Sequence, residues 1–185
     1  MSLFDELIQL AKSQDQNLIL DVEENLEWRS GSLDHRLKLR TALAKYLSKK
    51  FHFENFDNIL DLKKLPEFKH GFISISHCPQ VGVFAVSNRQ LGLDIEVASR
   101  VKPEVVERIC HKNELQLTNN LPAIWSAKEA LFKAHRNFKV ISDTHILEWK
   151  VSHNGIFSFS DNVFSGWVGI IQGITVSLAI KKSSI

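Results

Sequence analysis

The stretch Trp125-Ser126-Ala127-Lys128-Glu129-Ala130-Leu131-Phe132-Lys133 predicts one helix with two different faces. At 100° per residue, its small and apolar positions gather on one side: Ile124, Ala127, Leu131 and Ala134. Glu129 and Lys133 lie one turn apart on roughly the opposite side. Such a pair is either an ordinary exposed ion pair, worth about 0.3–0.5 kcal/mol, or half of a site that handles a metal and a phosphate. The helix alone does not decide between these two interpretations.

Residues 71–97 change to a period of two, which predicts three strands over 72–77, 81–86 and 91–97, joined as an antiparallel meander. In the third strand the apolar residues share one face, so Asp94 and Glu96 lie side by side on the other. Two neighbouring carboxylates repel each other unless water or a cation lies between them. This strand therefore presents either two exposed acids or part of a cation site.

The rest of the chain alternates helices with short strands. Helices are predicted over 3–12, 34–49 and from Pro103 to about 109, with an irregular acidic segment containing Trp28 and Gly31 between the first two. Strands are predicted over 145–151, 156–160, 163–171 and 174–180, with a turn at Asn154-Gly155. Both halves place helices before antiparallel strands. No strict repeat is present, but this order is compatible with a weak internal duplication. We expect residues 1–185 to form one domain of two halves, about 1–97 and 98–185.

Composition excludes several classes of function. The 185 residues carry a net charge of only +2, which gives no support for bulk nucleic-acid or membrane binding. The most apolar run, residues 166–180, is too short to span a bilayer as a helix and is better explained by two strands. Acidic residues near the N-terminus argue against an export signal, and the spacing of Cys78 and Cys110 fits neither a metal site nor a disulfide framework. We expect a cytoplasmic protein.

Asp94, Glu96 and Glu129 together supply the carboxylates that Mg²⁺ prefers, and Mg²⁺ is usually held by a few carboxylates and substrate phosphates. Cations suited to those phosphates are Lys128, Lys133, Arg36 and Arg40. The two arginines, one turn apart, form either a solvent-facing pair or an anion clamp. No glycine-rich phosphate loop is present, which argues against P-loop and Rossmann proteins. The expected chemistry is transfer at a pyrophosphate.

Three motifs in order resemble those of the 4′-phosphopantetheinyl transferases, specifically the longer Sfp-type: Ile75-Ser76-His77, Leu91-Gly92-Leu93-Asp94-Ile95-Glu96 and the Trp125–Lys133 stretch. The resemblance covers roughly residues 33–180. It implies a two-half α+β fold in which each half packs helices on a small antiparallel sheet. One chain would mimic a dimer and act as a monomer, with coenzyme A in the cleft between the halves. The implied reaction moves the phosphopantetheine arm of coenzyme A to a serine of an apo carrier protein and releases adenosine 3′,5′-bisphosphate.

Motif position also implies roles for individual residues. Asp94, Glu96 and Glu129 resemble the Mg²⁺ ligands, and Glu129 is the candidate base that activates the carrier serine. Lys133 resembles the pyrophosphate ligand, and Glu114 resembles a further acid that assists the metal or the base. The 3′-phosphate contacts are His77 and Arg40, with Arg36 as the alternative to Arg40. Lys128 either binds a phosphate or only flanks the site.

The chain departs from the family pattern in two places. Cys78 follows the histidine where the family usually has serine, and the usual G-K-P is not recognisable, Lys63-Lys64-Leu65-Pro66 being the nearest match. Two other functions stay open on sequence grounds. One is a non-catalytic protein of the same fold that binds coenzyme A or a carrier protein, and the other is an unrelated Mg²⁺-dependent phosphohydrolase.

Overall fold

A computed structural model describes residues 3–14, 18–24, 33–52, 57–63, 68–69, 71–151 and 155–183. The helices in this part of the chain are α1 (Leu3–Gln14), α2 (Leu33–Phe51), α3 (Asp57–Leu60), α4 (Pro103–Ile109) and α5 (Leu121–His135). The strands are β1 (Ile19–Glu24), β2 (Phe72–Cys78), β3 (Val81–Ser87), β4 (Leu91–Val97), β5 (Glu148–Val151), β6 (Phe157–Ser160), β7 (Phe164–Ile171) and β8 (Ile174–Lys181). Trp28, Gly31, Asn154 and the 64–66 part of the G-K-P counterpart lie outside the described residues.

The strands form two antiparallel sheets, one with the order β1-β3-β2 and one with the order β4-β8-β7-β6-β5. A cluster of apolar side chains packs between α2 and the first sheet, and a second cluster packs between α5 and the second sheet. Leu93 and Val83 belong to a third cluster, which joins the two sheets. The structure thus confirms an α+β fold with helices packed on two small antiparallel sheets.

Two details of the predicted fold are wrong. The strands of residues 71–97 do not form a meander, because β4 leaves β3 and pairs with β8, with Asp94 opposite Ser177. The acidic segment before residue 33 is not wholly irregular, since Ile19–Glu24 forms β1 and pairs with β3. Acidic residues are depleted in strands, and three of the six residues of β1 are acidic. The short helix α3 (Asp57–Leu60) was not predicted, and the other helices and strands lie where the sequence predicts them, within a few residues at their ends.

The two sheets meet at their edges through side chains. β2 and β4 are both edge strands, and the backbone N–H groups of Leu93 and Ile95 on β4 donate to the hydroxyls of Ser74 and Ser76 on β2, at 2.9 and 3.1 Å. Two serines in alternation therefore satisfy part of an edge that would otherwise be unpaired. This junction places β2 beside the strand that carries Asp94 and Glu96.

Among the described residues, no helix is long and apolar enough to cross a membrane. The apolar run at residues 166–180 consists of strands β7 and β8 with a turn between them, as the sequence predicts.

Candidate active site

Helix α5 starts and stops at residues suited to those positions. The Asn120 side chain accepts a hydrogen bond from the Ala123 N–H at 3.2 Å and so caps the helix, and Pro122 lies in its first turn. The helix ends before Arg136, whose φ of 58° is left-handed. Its predicted apolar face is buried, while Glu129 and Lys133 are half-buried. The helix is thereby fixed with its polar residues turned toward the junction of the sheets.

Gly92 lets β4 lie directly against α5. A Cβ atom added at Gly92 would fall 2.0 Å from the Ala130 carbonyl oxygen and 2.4 Å from the Ala134 nitrogen. Any side chain larger than hydrogen would push the helix away from the strand. This close approach brings Asp94, two residues further along β4, within reach of α5.

Asp94 accepts hydrogen bonds from three side chains of two other elements. Its Oδ1 accepts from Lys133 Nζ at 2.7 Å and from Ser76 Oγ at 3.2 Å, and its Oδ2 accepts from Ser126 Oγ at 2.8 Å. Lys133 Nζ also donates to Ser76 Oγ at 3.0 Å. The lysine thus pairs with the acid on the strand, and no ion pair joins it to Glu129 among the described contacts. These three donors fix the orientation of the Asp94 carboxylate, and the hydrogen bond from the lysine is charge-assisted.

Glu129 and Glu96 lie close enough to Asp94 to act on one another electrostatically. Burial raises the pKa of Glu129 above its usual value, Lys133 opposes that rise, and the charges of Asp94 and Glu96 add to it. Glu96 accepts from the Val97 N–H at 2.8 Å and lies 3.7 Å from Arg100. The side chains described contain no group of three or more His, Cys, Asp or Glu already arranged as metal ligands.

The donor set nevertheless fits a hard divalent cation. The three carboxylates repel one another in a partly buried place, so a nearby positive charge stabilises them. In this structure the Lys133 ammonium contacts Asp94 Oδ1, where a bound cation would otherwise supply the positive charge. Mg²⁺ would use the same oxygens. Asp94, Glu96 and Glu129 are therefore the residues that would hold it.

Glu114 and Lys128 are paired with each other beneath the surface. Both side chains are 0% exposed and form an ion pair at 2.9 Å. Lys128 Nζ also donates to the Thr144 carbonyl at 2.6 Å, and Glu114 accepts from the N–H groups of His111 and Ile146, each at 2.7 Å. Neither charge faces solvent, so this pair joins α5 to the two segments beside it. The structure gives no access for a phosphate or metal to either group.

A cleft of about 360 Å³ opens beside the carboxylates, between α2, the edge of β2 and the end of α5. Its positively charged and titratable lining residues are Arg36, Arg40, His77, Lys133 and Arg136, and its apolar lining includes Phe132 and Phe138. The cleft contains every residue predicted to contact coenzyme A except Lys128. Its basic wall beside an acidic cluster suits a ligand that carries several phosphates.

The two arginines of α2 are held by backbone carbonyls beyond the helix. Arg40 Nη1 donates to the carbonyls of Ile59 and Asp61 at 2.9 and 3.0 Å, and Arg36 Nη2 donates to that of Leu62 at 3.1 Å. Burial, helped by the charge of Arg36, lowers the pKa of Arg40. Arg40 is buried while Arg36 is half-buried. Both arginines line the cleft, so the sequence-based choice between them stays open.

His77 is neutral near pH 7. Burial lowers its pKa to about 4, and the positive charges of His35, Arg36 and Lys133 contribute in the same direction. The His35 ring meets it edge-on at 5.0 Å. As a neutral imidazole, His77 can donate a hydrogen bond to a phosphate but supplies no charge unless the phosphate raises its pKa.

Sequence reasoning missed three residues of this site: Ser76, Ser126 and Arg136. Ser76 and Ser126 lie inside the quoted motifs, and each donates to Asp94. Arg136 lies one turn beyond Lys133, a spacing that could have drawn attention to it. Its position on the cleft wall depends on a left-handed backbone that no periodicity reveals.

Comparison with known protein families agrees with this geometry. The family model described as the 4′-phosphopantetheinyl transferase superfamily matches residues 90–176, a span that holds β4, α5 and most of the second sheet. That part of the chain is similar to this superfamily, and the similarity supports phosphopantetheinyl transfer as the general chemistry. A search of curated proteins finds no match.

Proposed function

We propose that this protein transfers the 4′-phosphopantetheine arm of coenzyme A to a serine of an apo carrier protein, as an Sfp-type enzyme. The observation that carries the proposal is the meeting of Asp94 on β4 with Lys133 and Ser126 on α5, beside a cleft lined with cations. Coenzyme A has a diphosphate and a 3′-phosphate, and the cleft supplies positive charge for both.

Asp94, Glu96 and Glu129 are the proposed Mg²⁺ ligands, and the metal when bound would neutralise charge on the diphosphate. Lys133 would move its ammonium from Asp94 to the diphosphate oxygens. Arg36, Arg40 and His77 line the part of the cleft proposed for the nucleotide. These assignments use side chains of α2, β2, β4 and α5 from one chain, which supports the proposal that a monomer is active.

In the proposed reaction, the carrier serine oxygen attacks the phosphorus that bears the pantetheine arm. The new serine O–P bond forms while the bond from that phosphorus to the bridging oxygen breaks, and adenosine 3′,5′-bisphosphate leaves. Glu129 is the proposed acceptor of the serine proton, because its half-buried carboxylate lies within electrostatic reach of Asp94, Glu96 and Lys133 and a carboxylate can accept that proton. Complete burial and four hydrogen bonds argue against Glu114 as the base.

The direct test incubates the protein with Mg²⁺, coenzyme A and a panel of apo acyl, peptidyl and aryl carrier proteins, followed by mass spectrometry of each carrier. We expect one carrier or more to gain one phosphopantetheine, and a chelator to prevent the gain. Glu129→Gln and Asp94→Asn should abolish labelling. Glu107→Gln is the matched control, because it neutralises an exposed acid of α4 that takes part in none of the hydrogen bonds described at Asp94. Labelling that persists in both site variants would reject the mechanism, whereas coenzyme A binding without labelling would favour a non-catalytic binding protein.

The cytoplasm is the proposed location. Cys78 and Cys110 are both free in the structure, which supports a reducing compartment. Localisation of a tagged protein in its own cell would test this, with a membrane or extracellular fraction as the contrary result.

A further inference from the structure

Arg136 occupies a backbone position that suits glycine. It caps the C-terminal end of α5 with φ 58° and ψ −21°, and its N–H donates to the Phe132 carbonyl at 3.4 Å. Glycine is the usual residue at a left-handed helix end, because any side chain there costs conformational energy. Backbone strain of this kind often accompanies a functional requirement for the side chain.

The Arg136 side chain is directed to the cleft wall and fixed there. Its Nη2 donates to the Ile73 carbonyl at the start of β2, at 2.8 Å, and its guanidinium lies 5.5 Å from the centre of the Phe72 ring. The side chain is exposed and lines the same cleft as Arg40 and Lys133. A ligand in the cleft can therefore reach this guanidinium.

Arg136 and Lys133 reach different points along β2. Lys133 contacts Ser76, whereas Arg136 contacts Ile73, three residues away. At about 3.3 Å per residue, these two points are roughly 10 Å apart along the strand. The cleft thus has two separate cationic positions, which suits a ligand with two separate anionic groups.

We propose that Arg136 binds the 3′-phosphate of coenzyme A while Lys133 faces its diphosphate. This assignment rests on the proposed function. A guanidinium binds phosphate with two parallel hydrogen bonds and stays charged at every relevant pH. The assignment therefore places the 3′-phosphate at the Ile73 end of β2, not beside His77, the residue to which the sequence assigned it.

The test is calorimetric binding of two ligands, coenzyme A and 3′-dephospho-coenzyme A, to the wild-type protein and its variants. Arg136→Gly removes the guanidinium at a position where glycine is well suited, so the variant should fold, which thermal unfolding checks. It should weaken coenzyme A binding roughly 10- to 100-fold, since hydrogen bonds between charged groups are strong, and change dephospho-coenzyme A binding less than about threefold. Arg136→Lys should restore part of the loss.

Lys139→Gln is the matched control, because it removes an exposed cation three residues away that does not line the cleft. Equal weakening of both ligands by Arg136→Gly would overturn the assignment and show that Arg136 only braces α5 against β2. Unchanged binding of both ligands would also overturn it. A wild-type protein that binds neither ligand would reject both the proposed function and this assignment. If the protein binds coenzyme A but does not label a carrier, only the proposed function is rejected. The comparison of coenzyme A with 3′-dephospho-coenzyme A binding still tests the role of Arg136.

Discussion

Replacing Gly92 with alanine should separate β4 from α5 and damage both stability and activity. The added Cβ would lie 2.0 Å from the Ala130 carbonyl oxygen, 2.4 Å from the Ala134 nitrogen and 3.0 Å from the Ala134 Cα. All three atoms belong to the backbone of one helix, so no side-chain rotation relieves the overlap. The strand and helix must move apart by more than about 1 Å to restore ordinary contact distances.

Overpacking of a well-packed interior typically costs about 1–3 kcal/mol. The rigid backbone on both sides of Gly92 places this substitution at the upper end, about 3 kcal/mol of unfolding free energy. The same movement would withdraw Lys133 and Ser126 from Asp94. Because a displacement of about 1 Å at a catalytic group can reduce the rate about 100-fold, the labelling rate should fall more than the folded fraction does.

Urea unfolding of Gly92→Ala, followed by circular dichroism, measures the loss of stability, and labelling of a carrier under folding conditions measures the loss of rate. Gly169→Ala is the matched control on β7, where an added Cβ would meet its nearest atom, Ile156 Cγ1, at 3.5 Å. The control should stay within about 1 kcal/mol of wild type. A Gly92→Ala protein with wild-type stability and labelling would refute the argument that this glycine sets the distance between strand and helix.

Three further perturbations test other parts of the structure. The lowered pKa of His77 means that the unfolded chain binds its proton near pH 6.5 while the folded chain does so only near 4. The free energy of unfolding should therefore decrease as the pH falls from 6.5 to 4, by up to about 3 kcal/mol from this residue. In His77→Gln, urea unfolding at a series of pH values should show a smaller decrease over that range. The same decrease as in wild type would contradict the lowered pKa of His77. Burial, with the charges of Glu96 and Asp94, raises the pKa of the Cys78 thiol to about 12. A thiol reagent at pH 8 should therefore modify Cys78 only after the protein unfolds. Rapid modification of Cys78 in the native protein would contradict its burial. Lys128→Met leaves Glu114 buried without its cation and should lower the free energy of unfolding in urea by about 3–5 kcal/mol. A loss below about 1 kcal/mol would show that burying Glu114 does not depend on the charge of Lys128.

The sequence predicted the elements of the site well because periodicity reports which face of an element is buried. Alternation along β4 placed Asp94 and Glu96 on the face opposite the apolar residues, and the 3.6-residue period placed Glu129 and Lys133 together on α5. Motif order then associated the two elements. These features are local or depend on residue identity, so a single sequence contains them.

Pairing between distant segments could not be predicted in the same way. Alternation gives the faces of β4 but not its partner, which is β8, about 80 residues later. The sequence left Lys128 as either a phosphate ligand or a residue that only flanks the site, because periodicity does not reveal its internal partner, Glu114. Lys133 pairs with Asp94 rather than with its helical neighbour Glu129, since the close approach at Gly92 brings the strand within its reach.

The most direct test of the central claim is the stoichiometry of products when the protein acts on coenzyme A in the presence of Mg²⁺ and an apo carrier. Chromatography measures adenosine 3′,5′-bisphosphate, and mass spectrometry measures the modified carrier. Transfer predicts that the two products appear in equal amounts and that neither forms when the carrier is omitted. Release of the bisphosphate without a carrier would contradict transfer and indicate hydrolysis of coenzyme A by water.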